Sequence, residues 1–174
     1  MEQKLVLVNL NDDVLGVEEK RECHKGEGIM HRAYIILIFN KKNQLLIQKR
    51  SHYKELWPGF WDNSCSSHPK EKESYIESGE RRLLEELGFT TDLTALFKFY
   101  YKALYLNIGA ENELCLIMTG KYNGIITPNI AEVSEWRWVD LACLSEEMEK
   151  SSYKFTPWFL IAFELLSEKD YIHF

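Results

Sequence analysis

Apolar residues occur along this 174-residue chain in short runs that are separated by polar, turn-forming residues. Runs of this length between turn signals are typical of β-strands. They predict strands at residues 4–10, 32–39, 44–49, 97–105, 113–120 and 133–139. Between the second and the third of these strands, the sequence Asn-Lys-Lys-Asn predicts a hairpin turn.

From residue 73 to residue 87 the apolar spacing changes to a helical period. The apolar residues that share one side of this predicted helix are Ile76, Leu83 and Leu87. Ser74 and Glu77 have the spacing of a capping box at its start. Gly88 supplies a stop, so the helix is bounded at both ends.

A last helix is predicted to begin at Thr156 and Pro157, because proline is favoured at the first helical position after a capping residue. Strands mixed with few helices favour an α/β or α+β sandwich. No repeat, low-complexity tract or linker interrupts residues 1–174. Because 45% hydrophobic residues suffice for one substantial core, we expect a single domain.

Charge and cysteine content narrow the function classes. Lysine and arginine total 21 against 27 acidic residues, and the net charge of −6 argues against a nucleic-acid partner. An anionic substrate must then be met locally, by a few bases and metal ions. The four cysteines lack metal-site or redox spacing, and neither an apolar signal region nor a long apolar span is present. We therefore expect a reduced, cytoplasmic protein without a membrane partner.

Three histidines and two glutamates have spacings that suit one metal ion: His24, His31, His68, Glu111 and Glu113. Imidazole and carboxylate ligands favour Zn²⁺, Mn²⁺ or Mg²⁺ over a thiolate-loving metal. In a strand the two glutamates share one face and repel each other unless a cation or a proton lies between them. Taken alone, a solvent-exposed strand face explains the glutamates and surface positions explain the histidines. Their combination predicts a metal site.

The segment from residue 67 to residue 89 resembles the Nudix box. The matching pattern is Ser67-x5-Glu73-x7-Arg81-Arg82-Leu83-x-Glu85-Glu86-x-Gly88-Phe89. Ser67 replaces the leading glycine of that motif, and Arg82 replaces the first glutamate of its Arg-Glu pair. A plainer explanation of the charges is a solvated helix face with two i,i+4 ion pairs. Because Arg82 puts a cation where the family has a metal-binding carboxylate, ordinary Nudix hydrolysis is disfavoured.

From about residue 4 to residue 165 the chain resembles one branch of that family, the type I isopentenyl-diphosphate isomerases. The matching residues are His24-x6-His31, Arg50-x3-Lys54, Trp57-Pro58-Gly59-x-Trp61-x-Asn63-Ser64, Ser66-x-His68-Pro69, Arg81-Arg82, Tyr101 with Glu111-Asn112-Glu113, and Phe155-Thr156-Pro157-Trp158. The resemblance implies an α/β Nudix fold, an α/β/α sandwich with a mixed sheet. It also implies conversion of isopentenyl diphosphate to dimethylallyl diphosphate.

The resemblance assigns roles to individual residues. The first metal, Zn²⁺, Mn²⁺ or Mg²⁺, is held by the five His and Glu residues named above. A Mg²⁺ ion bridges Glu86 and the diphosphate of a prenyl substrate, since Mg²⁺ often binds through few carboxylates and phosphate oxygens. The bases that meet the remaining charge are Lys20, Arg50, Lys54 and Arg82. Each base could instead be a solvated surface charge.

The resemblance also implies how protons move. Glu113, acting with Tyr101, delivers a proton to the double bond, and a buried carboxyl holds that proton when its environment raises its pKa. Trp158 lays its ring against the resulting cation. For both aromatic residues, core packing is the alternative role.

The base that removes the second proton is where the chain departs from the family. Ser66 stands at the position of the usual cysteine, and Cys65 is its neighbour. In an extended segment Ser66 and His68 share a face while Cys65 points the other way. A hydroxyl is a weaker base than a thiolate, so we expect slower isomerisation rather than none. Two rivals stay open: a Nudix hydrolase cleaving a prenyl or nucleoside diphosphate, and a binding or sensing module without turnover.

Overall fold

A mixed β-sheet crosses the computed structural model, which describes residues 3–173. Its nine strands are β1 (Lys4–Val8), β2 (Val14–Glu19), β3 (His31–Phe39), β4 (Leu45–Arg50), β5 (Trp61–Asp62), β6 (Cys65–Ser67), β7 (Leu93–Tyr105), β8 (Gly109–Lys121) and β9 (Val133–Val139). The helices are α1 (Lys20–Cys23), α2 (Tyr75–Leu87), α3 (Leu141–Ser151), a 3₁₀ turn (Ser152–Lys154) and α4 (Pro157–Glu168).

Strand β3 lies at the centre of the sheet. On one side it pairs in parallel with β8 along its whole length, from His31 opposite Glu113 to Phe39 opposite Lys121. On its other side it pairs antiparallel with β1, β6 and β4 in turn. The long antiparallel hairpin of β7 and β8 extends the sheet beyond β8, and β9 extends it beyond β4. The parallel register brings the first residue of β3 beside the carboxylates of β8.

Both faces of the sheet are covered by helices. Ile35 and its alternate neighbours on β3 pack with Phe159 of α4 and with α3. Ile36 and its alternate neighbours pack against Leu83 and Leu87 of α2 on the opposite face. Because side chains alternate along a strand, β3 contributes to two cores at once. The arrangement is the predicted α/β sandwich with a mixed sheet.

Helix α2 has the predicted boundaries. The Ser74 hydroxyl accepts a hydrogen bond from the Glu77 amide at 3.2 Å, and the Ser74 amide donates to the Glu77 carboxylate at 2.9 Å, which completes the capping box. Gly88 ends the helix in the left-handed conformation, with φ of 76°. A Cβ atom there would lie 2.9 Å from the carbonyl oxygen of Thr127, so glycine is required for conformation and for space.

The predicted strands are all present; the strand at residues 133–139 has the predicted ends, and the others have shifted ends. The first stops at Val8 rather than at residue 10, and β7 and β8 are longer than predicted because each is paired along most of its length. The prediction missed β2, β5, β6, α1 and α3. The three missed strands are short or half-exposed and depend on pairing with neighbouring strands. Helix α1 has only four residues, and α3 has only two buried residues.

Two further findings concern the class of protein. Among residues 3–173, no helix is long and apolar enough to cross a lipid bilayer. The four cysteines are free thiols, three of them buried.

Candidate metal centre and active site

Five buried side chains converge at one end of the sheet: His24, His31, His68, Glu111 and Glu113. Each can offer one ligand atom so that all of these atoms lie within 4.8 Å of one another. The pairs of imidazole rings have centroid separations of 4.9 to 5.4 Å. Nitrogen and oxygen donors packed this closely can bind a metal ion, as the spacing in the sequence predicts.

The backbone explains how distant residues meet here. His31 is directly opposite Glu113 in the parallel β3–β8 pair, and Glu111 lies two residues earlier on the same face of β8. The His24 carbonyl accepts a hydrogen bond from the Ala110 amide at 2.9 Å. This approach requires Gly109, because a Cβ atom there would lie 2.5 Å from the His24 carbonyl oxygen.

Backbone carbonyls orient two of the imidazoles. Nδ1 of His24 lies 2.7 Å from the Lys20 carbonyl oxygen, and Nδ1 of His31 lies 2.7 Å from that of Ile29. A carbonyl only accepts, so Nδ1 donates in each ring and Nε2 is left with a lone pair toward the cluster. Metal-binding histidines usually have this second hydrogen bond.

Two buried atoms in the cluster test whether a metal fits. Within the described chain, Nε2 of His31 and Oε2 of Glu111 have no partner in hydrogen-bonding geometry. Nevertheless, Nε2 of His24 lies 2.8 Å from that Glu111 oxygen, and Nε2 of His31 lies 3.4 Å from Oε1 of Glu113. Burying polar atoms without hydrogen-bond partners destabilises the folded protein, and a cation bound between these atoms would remove that destabilisation. The donor set therefore fits a divalent metal.

The pKa directions agree with ligand chemistry at His68. Burial lowers the pKa of His68 well below its usual value, and neighbouring His31 acts in the same direction. The ring is therefore neutral, as a ligand must be. At His24, burial lowers the pKa but the adjacent Glu111 carboxylate raises it, and the net direction is upward.

Glu113 departs from one sequence-based expectation. Burial raises its pKa, but the adjacent His31 ring and the hydrogen bond from Tyr101 lower it, and the net direction is downward. The expected rise in the pKa of this carboxyl group is therefore wrong for the chain by itself. Tyr101, directly opposite Glu113 in the β7–β8 pair, donates its hydroxyl hydrogen to Oε2 of Glu113. Burial raises the pKa of Tyr101 well above its usual value, so the tyrosine retains the proton shared by this pair.

A cavity of about 610 Å³ opens beside the cluster. His24, His68, Glu111 and Glu113 form one part of its wall, and Tyr101 lines it as well. The predicted substrate-binding residues that also line the cavity are Lys20, Arg50, Lys54, Arg82 and Trp158. The structure thus brings an anion-attracting set of bases and an aromatic ring to the same space as the predicted metal site.

Arg50 and Trp158 are fixed by a residue that sequence reasoning missed. Asp62 is fully buried and accepts hydrogen bonds from Nε1 of Trp158 at 2.7 Å and from the Thr156 hydroxyl at 2.8 Å. Its other oxygen lies 3.4 Å from Nη1 of Arg50, whose guanidinium lies 5.2 Å from the centre of the Trp158 ring. Burial raises the pKa of Asp62, while Arg50 and these hydrogen bonds lower it, and the net direction is upward.

A second missed residue is Glu132, which precedes β9 and also lines the cavity. One of its oxygens contacts Nζ of Lys54, and the other lies 3.0 Å from Nη2 of Arg82. Arg82 additionally pairs with Glu85 and Glu86 on its own helix. No motif in the sequence marks Glu132.

Glu86 is placed differently from the other predicted metal residues. It lies outside the five-residue cluster, and its carboxylate contacts Arg82 and the Gln48 side-chain amide, the latter at 3.1 Å. Its side chain is almost fully buried, and it is not among the described residues that line the cavity.

The Ser66 and Cys65 side chains lie on opposite sides of β6. Ser66 lines the cavity, and its hydroxyl donates to Oδ1 of Asn63 at 2.8 Å. Cys65 is fully buried in the core beneath α2, where burial raises the pKa of its thiol well above the usual value. The predicted orientation of these two residues is therefore confirmed.

Comparison with known proteins agrees with this geometry. A family model described as the NUDIX domain matches residues 30–159. The isopentenyl-diphosphate Delta-isomerase of Burkholderia multivorans is 38% identical over 159 residues, which are 91% of this chain and 90% of that protein. Isopentenyl-diphosphate Delta-isomerase 1 of Aromatoleum aromaticum is 38% identical over 158 residues, covering 91% of this chain and 89% of its own length.

A solved structure supports the fold alone. The crystal structure of the MutT protein from Methanosarcina mazei Go1 matches with a TM-score of 0.68 at 19% identity, covering 81% of this chain and 95% of that one. The family itself is shown by the family model and by the more similar relatives. The chain belongs to the NUDIX domain family and, within it, to the isopentenyl-diphosphate Delta-isomerases.

Proposed function

We propose that this protein isomerises isopentenyl diphosphate to dimethylallyl diphosphate. The observation that carries the proposal is the buried, proton-bearing pair of Tyr101 and Glu113. Glu113 belongs to the His/Glu cluster, and both side chains line a cavity that is also lined by bases. The relatives named as Delta-isomerases match over nearly the whole chain, which supports the same reaction here.

The first step is protonation of the terminal double bond. The π electrons take a proton from the Tyr101–Glu113 pair, and the adjacent carbon becomes a tertiary cation. Because the Tyr101 hydroxyl donates its hydrogen to Glu113, the proton can pass along this hydrogen bond as the double bond approaches. The Trp158 ring lines the same cavity, where its electron-rich face stabilises the cation.

The second step removes a hydrogen from the carbon on the other side of the cation. Its C–H electrons form the new double bond, and the proton passes to the Ser66 oxygen and from there to solvent water. A solvent proton then restores the Tyr101–Glu113 pair. The Ser66 hydroxyl donates to Asn63, so its oxygen lone pairs remain available to the cavity. A neutral oxygen suffices because a proton beside a carbocation is strongly acidic. The cost relative to a thiolate is a lower rate.

The diphosphate is assigned to the bases at the cavity rim: Lys20, Arg50, Lys54 and Arg82. A divalent ion, Zn²⁺, Mn²⁺ or Mg²⁺, held by the five His and Glu side chains would offset the charge of the paired carboxylates, and Mg²⁺ would partly neutralise the diphosphate. For Glu86 to hold that Mg²⁺, its carboxylate would have to exchange its contacts with Arg82 and Gln48. A cytoplasmic location remains a prediction.

The test is the reaction in D₂O with Mg²⁺. We expect deuterium in the dimethylallyl diphosphate, measured by NMR, and free phosphate at background. Glu113→Gln should abolish deuterium incorporation while pyrophosphate still binds, because an amide cannot deliver the proton. Release of phosphate or pyrophosphate without deuteration of carbon would overturn the proposal and favour a Nudix hydrolase.

A further inference from the structure

Two of the bases that line the cavity, Lys54 and Arg82, are already paired with a carboxylate of the protein. Lys54 contacts one oxygen of Glu132, and Nη2 of Arg82 lies 3.0 Å from the other. The three side chains are between 17% and 24% exposed, so these ion pairs are half-buried rather than solvated. Glu132 thus joins two cations that come from different parts of the fold, the loop after β4 and helix α2.

The backbone holds Glu132 in this place. Its amide donates to the Asn129 carbonyl at 2.9 Å, and its carbonyl accepts from the Ser51 amide at 3.0 Å. The Asn129 amide in turn donates at 2.9 Å to the carbonyl of Glu86, near the end of α2. The backbone of Glu132 is therefore held between the loop after β4 and the end of α2, which keeps its side chain within reach of both cations.

Glu132 is charged throughout the neutral range. Burial alone would raise its pKa, but the positive charges and hydrogen bonds of Lys54 and Arg82 outweigh burial and lower the pKa to about 2. A diphosphate that uses Lys54 and Arg82 must therefore compete with a permanent anion already bound to both.

We propose that Glu132 is an internal counter-anion, which occupies Lys54 and Arg82 before the substrate binds and is displaced from them by the diphosphate. The inference rests on the proposed function in one respect, that Lys54 and Arg82 meet the diphosphate. Two consequences follow: the counter-anion keeps mutually repelling cations in place in the empty cavity, and it lowers the affinity for the diphosphate, so that product is released more easily.

The probe is inorganic pyrophosphate, titrated by calorimetry into the metal-loaded protein with and without added Mg²⁺. We expect Glu132→Gln to bind pyrophosphate about three- to tenfold more tightly than the wild type, since two half-buried ion pairs no longer have to be broken. Glu132→Ala should show the same gain, which makes the result independent of how the new amide is placed.

Glu135→Gln is the matched control. Glu135 lies on β9 and pairs with Lys49 at 2.7 Å on the outside of the protein, away from the cavity. Its variant should bind pyrophosphate like the wild type. Unchanged or weaker binding by both Glu132 variants would overturn the inference alone, and weakening only with Mg²⁺ would identify Glu132 as a magnesium ligand instead. Absence of pyrophosphate binding by the wild type would overturn the diphosphate site itself and this inference with it.

Discussion

Replacing Ser66 by cysteine should increase the isomerisation rate, because the side chain at this position faces the cavity and is the proposed proton acceptor. A thiol with a pKa of about 8.5 is roughly one quarter ionised at pH 8, whereas a serine hydroxyl is not ionised at all. A well-placed general base contributes about 10²- to 10⁴-fold.

The hydrogen bond made by the side chain at position 66 reduces the rate increase that we expect for Ser66→Cys. Ser66 donates to Oδ1 of Asn63 at 2.8 Å, and a cysteine thiol would donate to the same oxygen, which favours the protonated form. We therefore take the lower end of the range for a general base and reduce it by the fraction of thiol that is ionised. This gives an increase in kcat of about tenfold to hundredfold for Ser66→Cys. Product formation measured by NMR between pH 6 and 10 checks this, since the variant should gain a basic pH dependence that the wild type lacks.

Cys65→Ala is the control for the register of β6. Ile35 pairs with Ser66 and Ile36 pairs with Cys65, so Cys65 points into the core. Loss of this buried sulfur should cost about 1 kcal/mol of unfolding free energy, measured in urea, and leave kcat unchanged. An inactive Cys65→Ala together with an unaltered Ser66→Cys rate would refute the reasoning, because it would mean that Cys65 is the base and that the strand has another register.

Two further predictions concern the metal and acid stability. His68→Ala should lose most of the tightly bound metal in elemental analysis, while the exposed His52→Ala keeps it; equal metal in both would contradict the five-residue site. Glu73→Gln should lower the unfolding free energy by about 1 kcal/mol at pH 7, because the hydrogen bond from Arg81 lowers the pKa of Glu73 to about 2. A lowered pKa stabilises the folded protein at pH values above the unfolded-state pKa of about 4.3, and this stabilisation is lost as the pH falls toward 2. The difference in unfolding free energy between the wild type and Glu73→Gln should therefore vanish near pH 2. A difference that does not change with pH would argue against the ion pair.

The sequence predicts the fold best where a segment carries a clear local pattern of apolar residues or of capping residues. Residues 133–139 form the predicted strand with both ends correct, and α2 has the predicted cap and stop. Strand β2 carries no comparable pattern: most of its side chains face solvent, and it is held by pairing with β1. Elements of this kind form because they pair with a neighbouring strand, and the local sequence pattern does not show that pairing.

The same distinction applies to the candidate site. The His/Glu cluster is predictable because Glu111 and Glu113 share a strand face by parity and the histidines lie in short, distinctive motifs. Asp62 is inside such a motif, but its residue type suits an ordinary turn, and its role depends on where Trp158 arrives from α4. Sequence spacing alone contains no information on that distance.

Glu132 also explains why net charge is a weak guide to this cavity. The acidic composition predicts that an anionic substrate must be met by a few local bases, and Lys54 and Arg82 do lie at the cavity. They are 28 residues apart in the chain, and their shared carboxylate is a further 50 residues beyond Arg82, so only the folded protein brings the three together. Cations held at a cavity need a counter-charge when no ligand is present, because unpaired buried charges are expensive. A mobile solvent anion could serve, but a carboxylate on a residue whose backbone is held by Asn129 and Ser51 does so without the entropic penalty of capturing a free ion at each turnover. The carboxylate that pairs with both Lys54 and Arg82 is therefore consistent with an anion-binding site, provided that this resident carboxylate is the weaker of two competing ligands.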